Sequence, residues 1–168
     1  MAEETIKNLL PKFISHLEEK GRSPSTILAY RADLEQLIDF LKDKNKVLPS
    51  QANDTDIEAF RDSLLSQKYT PKSVSRKLNA VKTFFRWMVD QKHADRDVSR
   101  DVAHPKIEAS MPKFLSPLEY RALRDVVRDD VRIAAIVELI LQTGMRISEV
   151  ANLKSKNVSN SEIRIEAY

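Results

Sequence analysis

Between Thr70 and Gln91 two sets of residues repeat at one helical interval. Val74, Leu78, Val81, Phe85 and Met88 step by four, three, four and three, and Lys72, Arg76, Asn79, Thr83 and Arg86 step in the same order on another face. That pattern fits one long amphipathic helix, with an apolar stripe turned to a core and a continuous polar, basic stripe left outside. Thr70 is the expected N-cap and Pro71 the first helical residue, where a missing N–H leaves no bond unmade. Phe84 and Trp87 flank the apolar stripe, so their spacing places them in the core rather than on a base-stacking surface.

The same period recurs along the chain. A first helix is expected over about Glu3–Glu19, with Ile6, Leu9, Leu10, Phe13, Ile14 and Leu17 inward and Gly21 ending it. Ser23-Pro24 caps and starts a second helix with the stripe Ile27, Tyr30, Leu34, Leu37, Ile38 and Leu41, closing in the lysine-rich stretch Lys42–Lys46. A third is expected over about Asp54–Gln67, with Asp54 and Thr55 as candidate caps and Ile57, Phe60, Leu64 and Leu65 inside. Residues 94–117 carry Pro105, Pro112 and Pro117 and no sustained period, which reads as a linker and a domain boundary. Ser116-Pro117 with Glu119 forms a capping box for a fifth helix, whose inner face would be Leu118, Leu123, Val126 and Val127. A strongly apolar helix follows over about Asp130–Gln142, then a break at Thr143-Gly144 and a short helix over about Ile147–Leu153, anchored by Ile147, Val150 and Leu153. Val158–Ser161 reads as a strand and turn, and alternation at Ile163 and Ile165 as a strand over Glu162–Ala167 that lacks partner strands. The expected class is mainly α: a helical domain over residues 1–93, a linker over 94–115, and a mostly helical α/β segment over 116–168.

Composition removes several functions. There is no Cys, which excludes thiol chemistry, Cys-based zinc sites and disulfides. Two glycines leave no room for a Walker loop or a GxGxxG turn, and His16, His93 and His104 are too widely spaced for a local metal motif. No apolar run is long enough to span a bilayer, and the acidic, amphipathic N-terminus is unlike a signal peptide, so the expected compartment is the cytoplasm, nucleoid-associated if the partner is DNA. The net charge is only +3, but residues 70–93 hold six basic side chains against one acidic, while the segments on either side are near neutral. A cationic strip on one helix suits a polyanion, although a solvated helix face would carry the same charges.

The segment Leu139–Leu153, LILQTGMRISEVANL, carries the chemistry. Gly144 permits a tight reversal, Arg146 emerges at the start of the next helix, and Glu149 follows one turn on. A firmly held Arg, always charged and with a planar fork of donors, suits phosphate recognition. A purely structural Arg–Glu pair at a helix start would have the same spacing.

The stretch TGMRISEVANL resembles the Thr-Gly-Leu-Arg-Ile-Ser-Glu-Leu box of tyrosine recombinases, the phage-integrase and Xer group, with Met145 and Val150 in place of Leu. GRSPSTILAYRADLEQLIDF is similar to that family's second N-terminal helix, with Ser23, Ser25, Thr26, Tyr30 and Leu34 on the pattern. TPKSVSRKLNAVKTFFRWMVDQ resembles its fourth helix, and a proline-bearing linker leading into Leu115-Ser116-Pro117-Leu118-Glu119 follows in the family's order.

The resemblance implies a four-helix, SAM-like core-binding domain followed by the first part of a catalytic domain. It implies that Arg146 is the first catalytic arginine, contacting the scissile phosphate, with Glu149 supporting it. It further implies metal-free, cofactor-free strand transfer through a 3′-phosphotyrosyl intermediate. The family's hairpin Lys, His-x-x-Arg box and nucleophilic Tyr do not follow. Tyr168 is only 22 positions after Arg146, so no nucleophile is assigned, and this chain alone is expected to bind DNA without cutting it. For DNA contacts the resemblance points to Ser25 and Thr26 on the second helix and to Lys72, Ser73, Arg76, Lys77 and Arg86 on the fourth, with Arg76 or Lys77 reaching base edges. The expected partners are double-stranded DNA carrying recombination half-sites and other recombinase protomers on that DNA, with a monomer in solution and no membrane or metal. Two other readings stay open: a naturally short, non-catalytic regulator of recombination sites, and a helical protein-interaction domain whose basic helix binds an acidic partner.

Overall fold

The computed structural model describes residues 3–108 and 111–165. It divides into two compact units, one running to residue 109 and the other from residue 110. Among the described residues there are seven α-helices and no strand.

The first unit is built from α1 (Ile6–Glu19), α2 (Pro24–Asp43), α3 (Asp54–Ser66) and α4 (Pro71–Asp90). α2 packs on α1 and α4, and α3 on α4. Every residue of the apolar stripe on α4 is buried, as are Leu9 and Phe13 of α1, Leu34 and Leu37 of α2, and Ile57 and Phe60 of α3. An aromatic cluster ties α1 to α4: the Phe13 ring lies 5.1 Å from Phe84 and 5.4 Å from Trp87, and Phe84 stacks on Trp87 at 5.9 Å. Phe84 and Trp87 are thus core residues, as their spacing predicts.

The helix starts follow local chemistry. Ser23, Thr70 and Ser116 cap α2, α4 and the helix that begins at Pro117 through their hydroxyls, each with Pro next in the chain. α1 begins later than expected, at Ile6, because Thr5 is its cap. α3 is capped by Asn53 rather than by Asp54 or Thr55. The Asn53 side chain accepts from the Asp56 N–H, and Asp56 returns the bond to the Asn53 N–H. All four helices end in the same left-handed reversal. Gly21 has φ +68°, with its N–H on the Glu18 carbonyl and that of Arg22 on the Leu17 carbonyl. Asn45, Lys68 and Lys92 occupy the corresponding positions with φ of 58°, 65° and 60°.

The segment after α4 is not a free connector over its first part. Val98 and Val102 enter the core of the first unit. Polar contacts hold the same stretch: Lys82 Nζ donates to the Arg100 carbonyl at 3.1 Å, Arg61 Nη1 to the Ala103 carbonyl at 3.1 Å, and Ser75 Oγ pairs with His104 Nδ1 at 2.9 Å.

The second unit contains α5 (Pro117–Val126), α6 (Val131–Thr143) and α7 (Ile147–Ala151). α6 packs on both α5 and α7. Three sequence expectations are corrected here. The inner face expected on α5 is open, with Leu118 at 77% and Val126 at 83% exposure. Ile147 does not anchor α7 and is exposed; Met145, two residues earlier, is the one buried side chain among the unit's described residues. The terminal strand is reduced to an isolated antiparallel bridge between Val158 and Ile163, closed by the Ser159 N–H on the Glu162 carbonyl and the Arg164 N–H on the Asn157 carbonyl. The end of that expected strand and Tyr168 lie outside the described residues.

Candidate functional site

The exposed side of α4 carries Lys72, Arg76, Asn79 and Arg86 in one row, with Ser73 and Thr83 half-buried beside it. Lys72 and Ser73 lie in the first turn, where Ser73 also receives the Thr70 hydroxyl at 3.0 Å. The Thr83 hydroxyl turns back onto the Asn79 carbonyl at 2.8 Å. On α2, Ser25 is exposed in the first turn, and Thr26 Oγ1 is tied to Ser23 Oγ at 2.8 Å. A hydroxyl so held keeps its second lone pair and part of its surface for an outside partner.

Between these two helices lies a group the sequence reading missed. Asp33 of α2 is 2% exposed and faces α4. Its carboxylate takes two bonds from the Arg76 guanidinium, Nη2 to Oδ1 at 3.0 Å and Nη1 to Oδ2, and a third from Lys77 Nζ to Oδ1 at 2.9 Å. Lys77 also lies 5.3 Å from the centroid of the Tyr69 ring. This corrects one expectation: Lys77 is buried, and its ammonium is spent inside the protein on Asp33 and Tyr69, so it faces no outside ligand. Arg76 differs. Its side chain keeps 55% exposure while two of its five donors are fixed on Asp33. The signal for the cluster was present in the sequence. Asp33 and Lys77 both sit at inward positions of otherwise apolar stripes, three residues after Tyr30 and Val74 respectively, and a buried charge demands a partner.

In the second unit the local fold does what the Gly144-Met145-Arg146 segment suggests. Gly144 closes α6 with φ +70°, its N–H on the Ile140 carbonyl at 2.9 Å. The chain then turns so that Arg146 is the N-cap of α7. Glu149 accepts the Arg146 N–H on Oε2 at 2.7 Å and Arg146 Nη1 on Oε1 at 2.9 Å. The Arg146 side chain is 81% exposed, whereas the Glu149 side chain is mostly covered. The backbone bond first, then the side-chain bond from Arg146, hold the Glu149 carboxyl below its ordinary value. Glu149 is therefore an anion at neutral pH that fixes one edge of the arginine and leaves its other donors outward. Among the described residues no group of three or more His, Asp or Glu could hold a metal ion, and no helix is long and apolar enough to cross a membrane.

Residues 10–92 match the family described as "Phage integrase, N-terminal SAM-like domain", and residues 113–168 match "Phage integrase family". The chain is 31% identical over 160 residues to a tyrosine recombinase XerC of Roseiflexus castenholzii, covering 90% of this chain and 51% of that relative. It is 31% identical over 145 residues to a tyrosine recombinase XerD of Haemophilus influenzae, covering 84% of this chain and 48% of that one. The chain thus spans about half the length of the curated relatives it matches. In fold it is similar to a lambda integrase (75-356) dimer bound to a COC′ core site, with a TM-score of 0.79 at 15% identity over 97% of this chain and 58% of that one. A lambda integrase tetramer bound to a Holliday junction gives a TM-score of 0.79 at 15% identity over 96% of this chain and 47% of that one.

Proposed function

The chain belongs to the phage integrase family of tyrosine recombinases, and from that premise we propose that it grips recombination half-sites on double-stranded DNA and carries the opening part of the strand-transfer site. The helices within residues 1–93 form the gripping domain, residues 94–115 the connection, its first part packed into that domain through Val98 and Val102, and residues 116–168 the start of the catalytic domain. The observation that carries this reading is the exposed row Lys72, Arg76 and Arg86 on α4, adjoined by Ser73. Lys72 and Arg86 reach phosphates and set affinity, and Arg76 reaches base edges. Ser25 and Thr26 add hydroxyl contacts from α2.

Arg146 binds the scissile phosphate. Its outward donors are placed to neutralise charge as the phosphorus takes on a fifth oxygen, and Glu149 keeps the guanidinium from swinging away. The reaction would run through a 3′-phosphotyrosyl bond with no metal or cofactor. The residues that complete the site (a hairpin Lys, a His-x-x-Arg box and the Tyr beyond it) are not found after Arg146 in these 168, where no His occurs, so this chain alone binds DNA and does not cleave it. Further protomers on the same DNA are its protein partners, and it works on the nucleoid in the cytoplasm.

The test is a duplex titration at increasing salt. Binding that weakens linearly in log–log coordinates, with each phosphate contact adding about 0.9 to the slope, supports the reading. No binding at low salt would remove it and leave a helical protein-interaction domain as the better account of the basic helix.

A further inference from the structure

We infer that Asp33 is a positioning residue that sets DNA sequence discrimination by holding Arg76 in one orientation, with Lys77 as the buried counter-charge that leaves the three groups with a net positive charge. The inference rests on the DNA-binding reading of α4 and deepens it.

A flexible arginine on a helix surface samples many rotamers, and ordering it on a base edge opposes binding. Arg76 is ordered beforehand. Its two terminal nitrogens each give one hydrogen to the Asp33 carboxylate, so the guanidinium plane is fixed by two parallel bonds. Three of its five N–H groups remain, and the side chain is still 55% exposed. Asp33 itself does not move: it is buried on α2, one residue before the fully buried Leu34.

Charge gives the second half of the argument. A carboxylate paired with a single arginine would leave a neutral unit, a poor ligand for a polyanion. Here the same carboxylate also accepts Lys77 Nζ at 2.9 Å, and Lys77 is buried. The three groups together carry one positive charge, and Arg76 is the only cation of the pair with its surface open. Lys77 therefore acts on DNA without touching it. The arrangement also couples α2 to α4, the two helices assigned to DNA contact, through a bond network rather than through apolar packing alone.

Asp33→Asn separates this role from simple electrostatics. The amide keeps the shape but removes a negative charge close to a polyanion. Charge alone predicts equal or tighter binding to every duplex. Positioning predicts the reverse on a preferred site and no loss elsewhere.

The probe is the duplex best retained by the native chain from a randomised 20-base-pair library, compared with a scrambled duplex of the same composition. In Asp33→Asn the preference for the selected duplex falls by about tenfold, within the range set by one bidentate base contact, while scrambled binding holds or rises. In an Arg76→Ala background, Asp33→Asn brings no further loss. Undiminished preference in Asp33→Asn, or a further loss without Arg76, overturns the inference and leaves DNA binding standing. A native chain that retains no duplex overturns both.

Nitrogen-15 NMR of the free native chain supplies a measurement that does not depend on a variant folding. Resolved, slowly exchanging Arg76 Nη signals are expected, and a single fast-averaged signal overturns the inference.

Discussion

Asp33 and Lys77 show how far single residues can be read from a sequence. Each falls on the inward side of its helix, so its position was legible. Its partner was not, because α2 and α4 are more than forty residues apart in places and only packing brings them together. The Arg146–Glu149 pair was legible because both ends lie within one helical turn. Its Glu149 carboxyl is held down chiefly by a backbone N–H. The carboxylate form thus supports the start of α7 above the ordinary value of 4.5, and that support is lost as pH falls through the lowered value. A carbon-13 titration of Glu149 is expected to show a midpoint below 4.5 that stays depressed in Arg146→Ala, since that variant keeps the backbone bond. A return to 4.5 would assign the effect to the side chain instead.

The helix-ending residues give a pair of opposite predictions. Gly21→Ala places a Cβ at φ +68° with nothing to clash against, so it loses only backbone energy, about 1–2 kcal/mol by urea unfolding. Lys68→Gly at φ 65° relieves the same strain, less the entropy glycine gains when unfolded, and raises stability by up to about 1 kcal/mol.

At the scale of the element, α4 was the most readable part of the chain because its two stripes are uninterrupted. Its cap, its first residue and its buried face are all as the spacing predicts. The open basic face is narrower than expected, since charge counting along a helix does not distinguish a lysine bound inside from one in water. Lys72→Ala or Arg86→Ala should weaken binding uniformly across duplexes and reduce the salt slope by about one each. Lys77→Ala should instead lower thermal stability, because it leaves the Asp33 carboxylate with one partner fewer in a buried place. Phe85→Ala, which empties a fully buried site, is expected to cost about 3–5 kcal/mol by urea unfolding. The cap of α3 was misread by one residue because Asn53, Asp54 and Thr55 are all good caps. The reciprocal pair of bonds, Asp56 N–H to the Asn53 side chain and Asn53 N–H to the Asp56 carboxylate, selects Asn53.

For the molecule as a whole, the class and the order of helices followed from periodicity, whereas burial in the second unit did not. Apolar spacing says which side of a helix can be buried and not whether anything lies against it. Leu118, Val126, Val131 and Ile147 show the difference. Two tiers of amide exchange are therefore expected, with the α1–α4 core protected to the level of global unfolding and α5–α7 exchanging well before it. Equal protection in both units would contradict the burial pattern. The insertion of Val98 and Val102 into the first core has a practical corollary for proteolysis. A gene trimmed after residue 93 would leave unfilled the places these side chains occupy. Trypsin acting on the intact protein should spare Arg96 and Arg100 and cut beyond them, after Lys106 or Lys113, both exposed and outside any helix. The stable piece it releases would then end beyond the last helix of the bundle, at a point fixed by two valine side chains.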